Sequence, residues 1–154
     1  MDFHLSAEQR QMVNTVRSLA QKKFKPRVKK WQDGSFPFEN IKDLAEIGVL
    51  GMAVPEEYGG LGLPVLDCVV VLEEIAKVCY VTAMAVMSAM GAQNRIVSAY
   101  APQDVKQKFL PGVVSGETIL AICMTEPHAG TDVANYRTNI VVHNDRLVLR
   151  APRR

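Results

Sequence analysis

Thr118-Ile119-Leu120-Ala121-Ile122-Cys123-Met124 is the stretch on which the fold turns. It is an apolar run of strand length. Everything before it has the spacing of helices, and everything after it reads as extended chain. The change of character lies between Pro111 and Glu117. Two domains are therefore expected: 1–114, helical, and 115–154, the beginning of a β-domain.

Upstream, Ser6 and Gln9 form a capping-box pattern. Met12, Val13, Val16, Leu19, Ala20 and Phe24 then follow on one helical face, and Pro26 is expected to end or bend the helix. A second, short helix starts near Pro37, carries Ile41, Leu44, Ala45 and Ile47, and suits Gly48 as its left-handed end. Gly51 to Gly62, with Pro55 and several glycines, is a shaped loop. Pro64 opens a third helix that runs to about Cys79, with Leu66, Val69, Val70, Ile75 and Ala76 available for packing. A fourth helix, Val81 to Tyr100, is apolar nearly all round, which places it in the middle of a bundle with Met84, Met87 and Met90 as packing residues. A fifth helix runs from Pro102 to Leu110 and stops at Pro111. The uncharged stretch Val78–Asn94 is slightly short for a membrane span and contains Thr82, Ser88, Gln93 and Asn94, so it reads as a buried helix.

Downstream, Tyr136 to His143 reads as a second strand, Asn144-Asp145 as a tight turn and Arg146 to Arg150 as a third strand. So few strands cannot close a sheet or bury a β core. Either other chains cover them, or the natural protein is expected to continue past Arg154. The fold class is mainly α: a helical bundle followed by the first strands of an incomplete β-domain.

Composition narrows the function. The 154 residues are 48% hydrophobic and 22% charged, which is ordinary globular usage and excludes a disordered tail, a collagen-like fibre and a disulfide-rich miniprotein. Lys and Arg total 18 against 16 acids, a net charge of +2, too small for a dedicated polyanion binder. The basic run Arg17, Lys22, Lys23, Lys25, Arg27, Lys29 and Lys30 contains no acid and has only Phe24 and Trp31 as aromatic neighbours, so it reads as a solvated helix end, not a nucleic-acid patch. Cys68, Cys79 and Cys123 are odd in number and lack a C-x-x-C spacing. They indicate neither a disulfide framework nor a metal site, and fit a reducing compartment. Met1-Asp2-Phe3-His4 has no basic start and no apolar core, so no signal peptide is expected.

The loop Met124-Thr125-Glu126-Pro127-His128-Ala129-Gly130-Thr131-Asp132 follows the apolar run. Small residues, two hydroxyls and open backbone N–H groups let such a turn approach a flat ligand or a phosphate. On these features alone it reads first as a polar hairpin connection.

Several strings together change that reading. They are Phe3-His4-Leu5-Ser6-Ala7-Glu8-Gln9, Gly48-Val49-Leu50-Gly51, Val54-Pro55-Glu56-Glu57-Tyr58-Gly59-Gly60-Leu61-Gly62, Lys106-Gln107-Lys108-Phe109-Leu110-Pro111, Gly116-Glu117 and the 124–132 loop itself. In this order and spacing the chain resembles the N-terminal part of the acyl-CoA dehydrogenase family. The resemblance implies an FAD-dependent α,β-dehydrogenation of an acyl-CoA thioester to the trans-2-enoyl-CoA, with electrons leaving through electron-transferring flavoprotein. It also implies a homo-oligomer, tetramer or dimer, in a bacterial cytoplasm or a mitochondrial matrix. Ile122, Cys123, Met124, Thr125, Gly130 and Thr131 match the stretch that touches FAD, with Thr125 toward the N1/O2 edge of the flavin. Thr131 matches a position near FAD phosphate and the bound thioester, and Met87 and Met90 lie on the helix that borders the acyl pocket. Glu56, Glu57 and Glu126 match structural positions, and His128 a variable surface one.

The departures are specific. Thr131 stands where the family usually carries serine. Arg150-Ala151-Pro152-Arg153-Arg154 stands where the family carries Asn-Gly-x-Lys and then a Trp-Ile-Thr-like segment. The glutamate that takes the α proton belongs to a C-terminal helical domain that this sequence does not contain, so no catalytic residue is assigned here and this chain alone is expected to be inactive. The alternatives are a truncated, non-catalytic helical module acting in protein–protein interaction, or one half of a split flavoenzyme.

Overall fold

Ser6 opens the first helix as its pattern requires. In a computed structural model that describes residues 4–151, its hydroxyl accepts the Gln9 N–H at 3.1 Å, and its own N–H donates to the Gln9 side chain at 2.9 Å. Phe3 of the opening motif and Pro152, Arg153 and Arg154 of the tail lie outside the described residues. Helix α1 is Ala7–Leu19. The chain stays helical past Pro26. A wide π turn, Ala20–Phe24, closed by Lys25 N–H to Ala20 O, comes immediately before it. This turn accommodates the proline, which can donate no hydrogen bond. The single turn α2 (Lys25–Arg27) and a 3₁₀ turn, Val28–Trp31, follow and end on buried Trp31. So Pro26 does not end the segment.

Helix α3 is Phe38–Glu46, with Gly48 left-handed beyond it (φ 77°). The loop after it is held by its own backbone. Leu61 N–H donates to Gly51 O, Gly62 N–H to Val54 O and Leu63 N–H to Met52 O. Gly60 sits where a Cβ would fall onto the Val54 carbonyl, so only glycine lets the two strands of this loop approach.

Helix α4 is Val65–Ala76. The expected fourth helix is two. α5 (Tyr80–Met90) and α6 (Ala92–Tyr100) are separated at Gly91, whose extended ψ of −151° turns the chain. α5 packs on α3, α4 and α6 but is not covered all round. Val86 is sealed and Met90 is 4% exposed, but Met84 and Met87 are 44% and 40% exposed. Helix α7 (Gln103–Ser115) runs one turn beyond Pro111. Leu110 and Val113 are buried on either side of that proline, and their burial outweighs the lost backbone bond.

α4 packs on α1 and α5, α5 on α6, and α7 on α3, α6 and the 3₁₀ turn Val49–Gly51. The core is Phe24, Leu44, Leu50, Val54, Val71, Ile75, Val86 and Leu110, all fully buried. Each large aliphatic or aromatic side chain there stabilises the unit by roughly 1.5–3 kcal/mol. The basic run is not simply solvated. Arg17 pairs with Glu74 at 2.8 Å, Lys23 and Arg27 with Asp43 at 2.6 Å each, and Lys30 with Glu39.

The chain divides between Ala121 and Ile122 into two compact units. The expected strand Thr118–Met124 is not regular structure. A strand exists only with a ladder partner, and no described residue pairs with this run. In the second unit β1 (Asn139–His143) and β2 (Arg146–Arg150) form an antiparallel hairpin, Ile140 opposite Leu149 and Val142 opposite Leu147. Asn144 and Asp145 both have positive φ, 47° and 58°, the geometry of a type I′ turn. The chain is thus mainly helical with one small sheet. No described helix is long and apolar enough to cross a membrane.

Candidate functional site

The loop after the apolar run is built around one acid. The Glu126 N–H donates to Ala129 O at 2.9 Å, and the Ala129 N–H returns to Glu126 O at 3.2 Å, which closes the turn. The Glu126 carboxylate is buried. It accepts the Arg137 N–H at 2.8 Å, the Thr138 N–H at 3.0 Å and the Thr138 hydroxyl. One side chain therefore ties the loop to the approach of β1. A buried carboxylate needs such donors to be tolerated at all. Val133 N–H donates to Thr131 O at 3.1 Å and starts the 3₁₀ turn Val133–Asn135.

With the turn fixed this way, the residues expected at a cofactor lie on its outside. Ile122, Cys123, Met124, Thr125, Gly130 and Thr131 are all exposed. The Met124 and Thr125 amides take no backbone partner among the described residues, and neither the Thr125 nor the Thr131 hydroxyl takes a partner there. Nothing crowds Gly130 within 4 Å of where a Cβ would sit. An accessible extended backbone, two hydroxyls and an open glycine match what a flat heteroaromatic ring and a phosphate require. This donor set fits FAD. His128 is exposed and takes no part in the turn's hydrogen bonds.

The helical unit carries the expected substrate residues. Met87 and Met84, three positions apart on α5, are exposed on one face, whereas Met90 packs in the core. Met84 belongs with Met87 on this exposed face. Helical spacing groups the two, but it does not tell which side of an all-apolar helix is covered. α5 is anchored from behind. Asn40 donates from Nδ2 to Thr82 Oγ1 at 2.8 Å, and the Thr82 hydroxyl donates to Cys79 Sγ at 3.1 Å. None of the three cysteines is in a disulfide. Among the described residues no group of three or more His, Cys, Asp or Glu side chains could hold a metal ion.

The family described as acyl-CoA dehydrogenase, N-terminal domain, matches residues 6–117. A short-chain-specific acyl-CoA dehydrogenase of Clostridium acetobutylicum is 33% identical over 97% of this chain and 40% of its own length. The structure of a glutaryl-coenzyme A dehydrogenase in complex with glutaryl-CoA superposes with a TM-score of 0.86 at 32% identity, over 97% of this chain and 39% of that one. An acyl-CoA dehydrogenase of Bacillus anthracis complexed with FAD gives a TM-score of 0.85 at 25% identity, over 94% of this chain and 25% of that one. The chain spans about 40% of the length of curated relatives it matches.

Proposed function

Since this chain belongs to the acyl-CoA dehydrogenase family, we propose that it is the N-terminal part of an enzyme that oxidises an acyl-CoA thioester to its trans-2-enoyl-CoA. Its domains are 1–114 and the β-domain that begins at 115. The observation that carries this is the 122–131 segment, where exposed donors are held in place by the buried Glu126 clamp.

The reaction removes a proton from the α carbon and a hydride from the β carbon, and leaves a double bond between them. FAD, when bound, supplies the acceptor for the hydride. The Thr125 amide and hydroxyl would face the pyrimidine edge of bound flavin, where hydrogen-bond donors favour electron uptake. Ile122, Cys123 and Met124 would hold the ring and keep water from it. Gly130 and Thr131 hold phosphate, and Thr131 also faces the thioester. Met87 and Met90 belong to the acyl pocket, with Met87 presenting the exposed surface. No residue of this chain is assigned as the base. The electrons pass on to an electron-transferring flavoprotein, and the complete protein is a homo-oligomer.

The test is a purification of the natural product with its intact mass, absorbance spectrum and response to a panel of acyl-CoA thioesters under anaerobic conditions. A flavin spectrum that bleaches with at least one thioester is the expected result. A flavin-free protein of 17.0 kDa that leaves every thioester unchanged would overturn the reading. Flavin and activity that co-purify with a second polypeptide would place this chain in a split enzyme.

A further inference from the structure

His128, Arg137 and Arg150 line one shallow depression of about 540 Å³ in the second unit, together with Leu149 and Ala151. They come from three places in the chain: the turn after the apolar run, the approach to β1 and the end of β2. All three are exposed, and none pairs with an acid or makes a side-chain hydrogen bond among the described residues.

The fold brings them together. The Glu126 carboxylate accepts the Arg137 and Thr138 N–H groups and so keeps the His128 turn at the base of β1. Arg150 is the ladder partner of Asn139, two residues after Arg137, so the two arginines leave neighbouring stretches of backbone. The acids of this unit are spent or distant. Residues 122–151 hold three, Glu126, Asp132 and Asp145. Glu126 is buried and bonded to the backbone. Asp132 accepts the Asn135 side-chain amide. Asp145 sits in the turn at the far end of the hairpin. A concave surface lined by one sign of charge draws anions to it.

We propose that this depression binds a phosphate group, with Arg137 and Arg150 as its main donors and His128 as a third. One guanidinium fork satisfies a carboxylate. A phosphate carries about two charges and three acceptor oxygens, so it uses donors that approach from several directions, and arginine is the cation that fits it best. None of the three residues is assigned to FAD, so the proposal does not rest on that reading. The phosphate has two sources, the free inorganic ion or an ester whose organic body lies on Leu149 and Ala151.

The test is a titration of the isotope-labelled 154-residue chain with phenyl phosphate, followed by amide chemical shifts at constant ionic strength, because exposed charges are screened by salt. Benzoate, with the same ring on a carboxylate, is the control. Saturable shifts at 128, 137 and 149–151 are expected, with benzoate at least tenfold weaker. Arg137→Gln and Arg150→Gln should each weaken binding at least tenfold, and the lysine variants should keep part of it. Unchanged shifts at 140–148 show that each variant keeps the hairpin. Equal binding of benzoate, shifts confined to 130 and 131, or binding that survives in a folded Arg137→Gln, Arg150→Gln double variant would overturn the proposal. Inorganic phosphate in the same titration identifies the source. Binding equal to that of phenyl phosphate points to the free ion, and weaker binding points to an ester.

Discussion

Asn40 on α3 and Thr82 on α5 meet side chain to side chain at 2.8 Å, 42 residues apart in sequence and both completely buried. Asn40 in turn accepts from Arg27 at 2.9 Å, so one amide joins a surface cation to the interior of the bundle. Thr82→Val keeps the shape and deletes the acceptor, which strands the Asn40 amide. The expected loss is roughly 1–3 kcal/mol in urea unfolding. Asn40→Leu combined with Thr82→Val should cost less than the two single changes together, because the double change leaves no orphan between them.

Acid should weaken the contact between α1 and α4. The Arg17 and Lys77 hydrogen bonds hold the Glu74 carboxyl at about 2, against an ordinary 4.5. Its folded value lies below its unfolded one. The stability it contributes is therefore complete above about pH 4.5 and drains away as pH falls toward 2. The loss should be on the order of 2 kcal/mol, because both cations are half exposed and water screens part of the attraction. Unfolding midpoints from pH 7 to pH 3 measure it, and Glu74→Gln should flatten that slope.

Gly60→Ala should be severe for one methyl group. The added carbon would meet the Val54 carbonyl, which is backbone and cannot swing aside. A loss of at least about 2 kcal/mol is expected. Gly130→Ala, with open space around it, is the control and should leave the thermal midpoint near the parent's.

Hydrogen exchange will report the Glu126 clamp. Glu126→Gln turns one of the two accepting oxygens into a donor that faces the Arg137 or the Thr138 amide. Both amides should exchange about tenfold faster or more, while those of α4 should not change. If neither amide responds, the carboxylate does not hold the loop.

Thr125→Val tests the flavin-facing assignment without touching the clamp. In the complete flavoprotein it should shift the flavin potential to a more negative value and lower FAD affinity, because a donor toward the anionic reduced ring is lost. Potentiometry and FAD titration of the same variant measure the two effects.

The sequence carries the helices best where a local signal marks their ends. Ser6 with Gln9, Gly48, and Asn144-Asp145 all specify a backbone geometry within a few residues. It carries them worst where distant packing decides. Pro111 is a stop signal by local rules, but Leu110 and Val113 find a core on both sides of it. Gly91 is one residue in a long apolar run, and nothing local marks it as the place where two helices part. The partners of Arg17, Lys23 and Arg27 lie 57, 20 and 16 residues away, beyond any pattern read along one helix. The 122–131 segment is legible through its resemblance to a family. What the structure adds is the reason it holds its shape, a buried acid whose partners lie 11 and 12 residues downstream.

The hairpin has a consequence in time. Its turn and register are local, and such a unit closes within about 1–10 microseconds. Ile140, Val142, Leu147 and Leu149 then stand on one face, between 63% and 75% exposed. On a ribosome this greasy ribbon is finished long before anything made after it, so the nascent chain passes through an interval of adhesiveness. Arg146 and Arg150 stand on the opposite face with His143. They are charges that oppose the zipping of two such ribbons, and chaperone demand during synthesis should rise if both are neutralised.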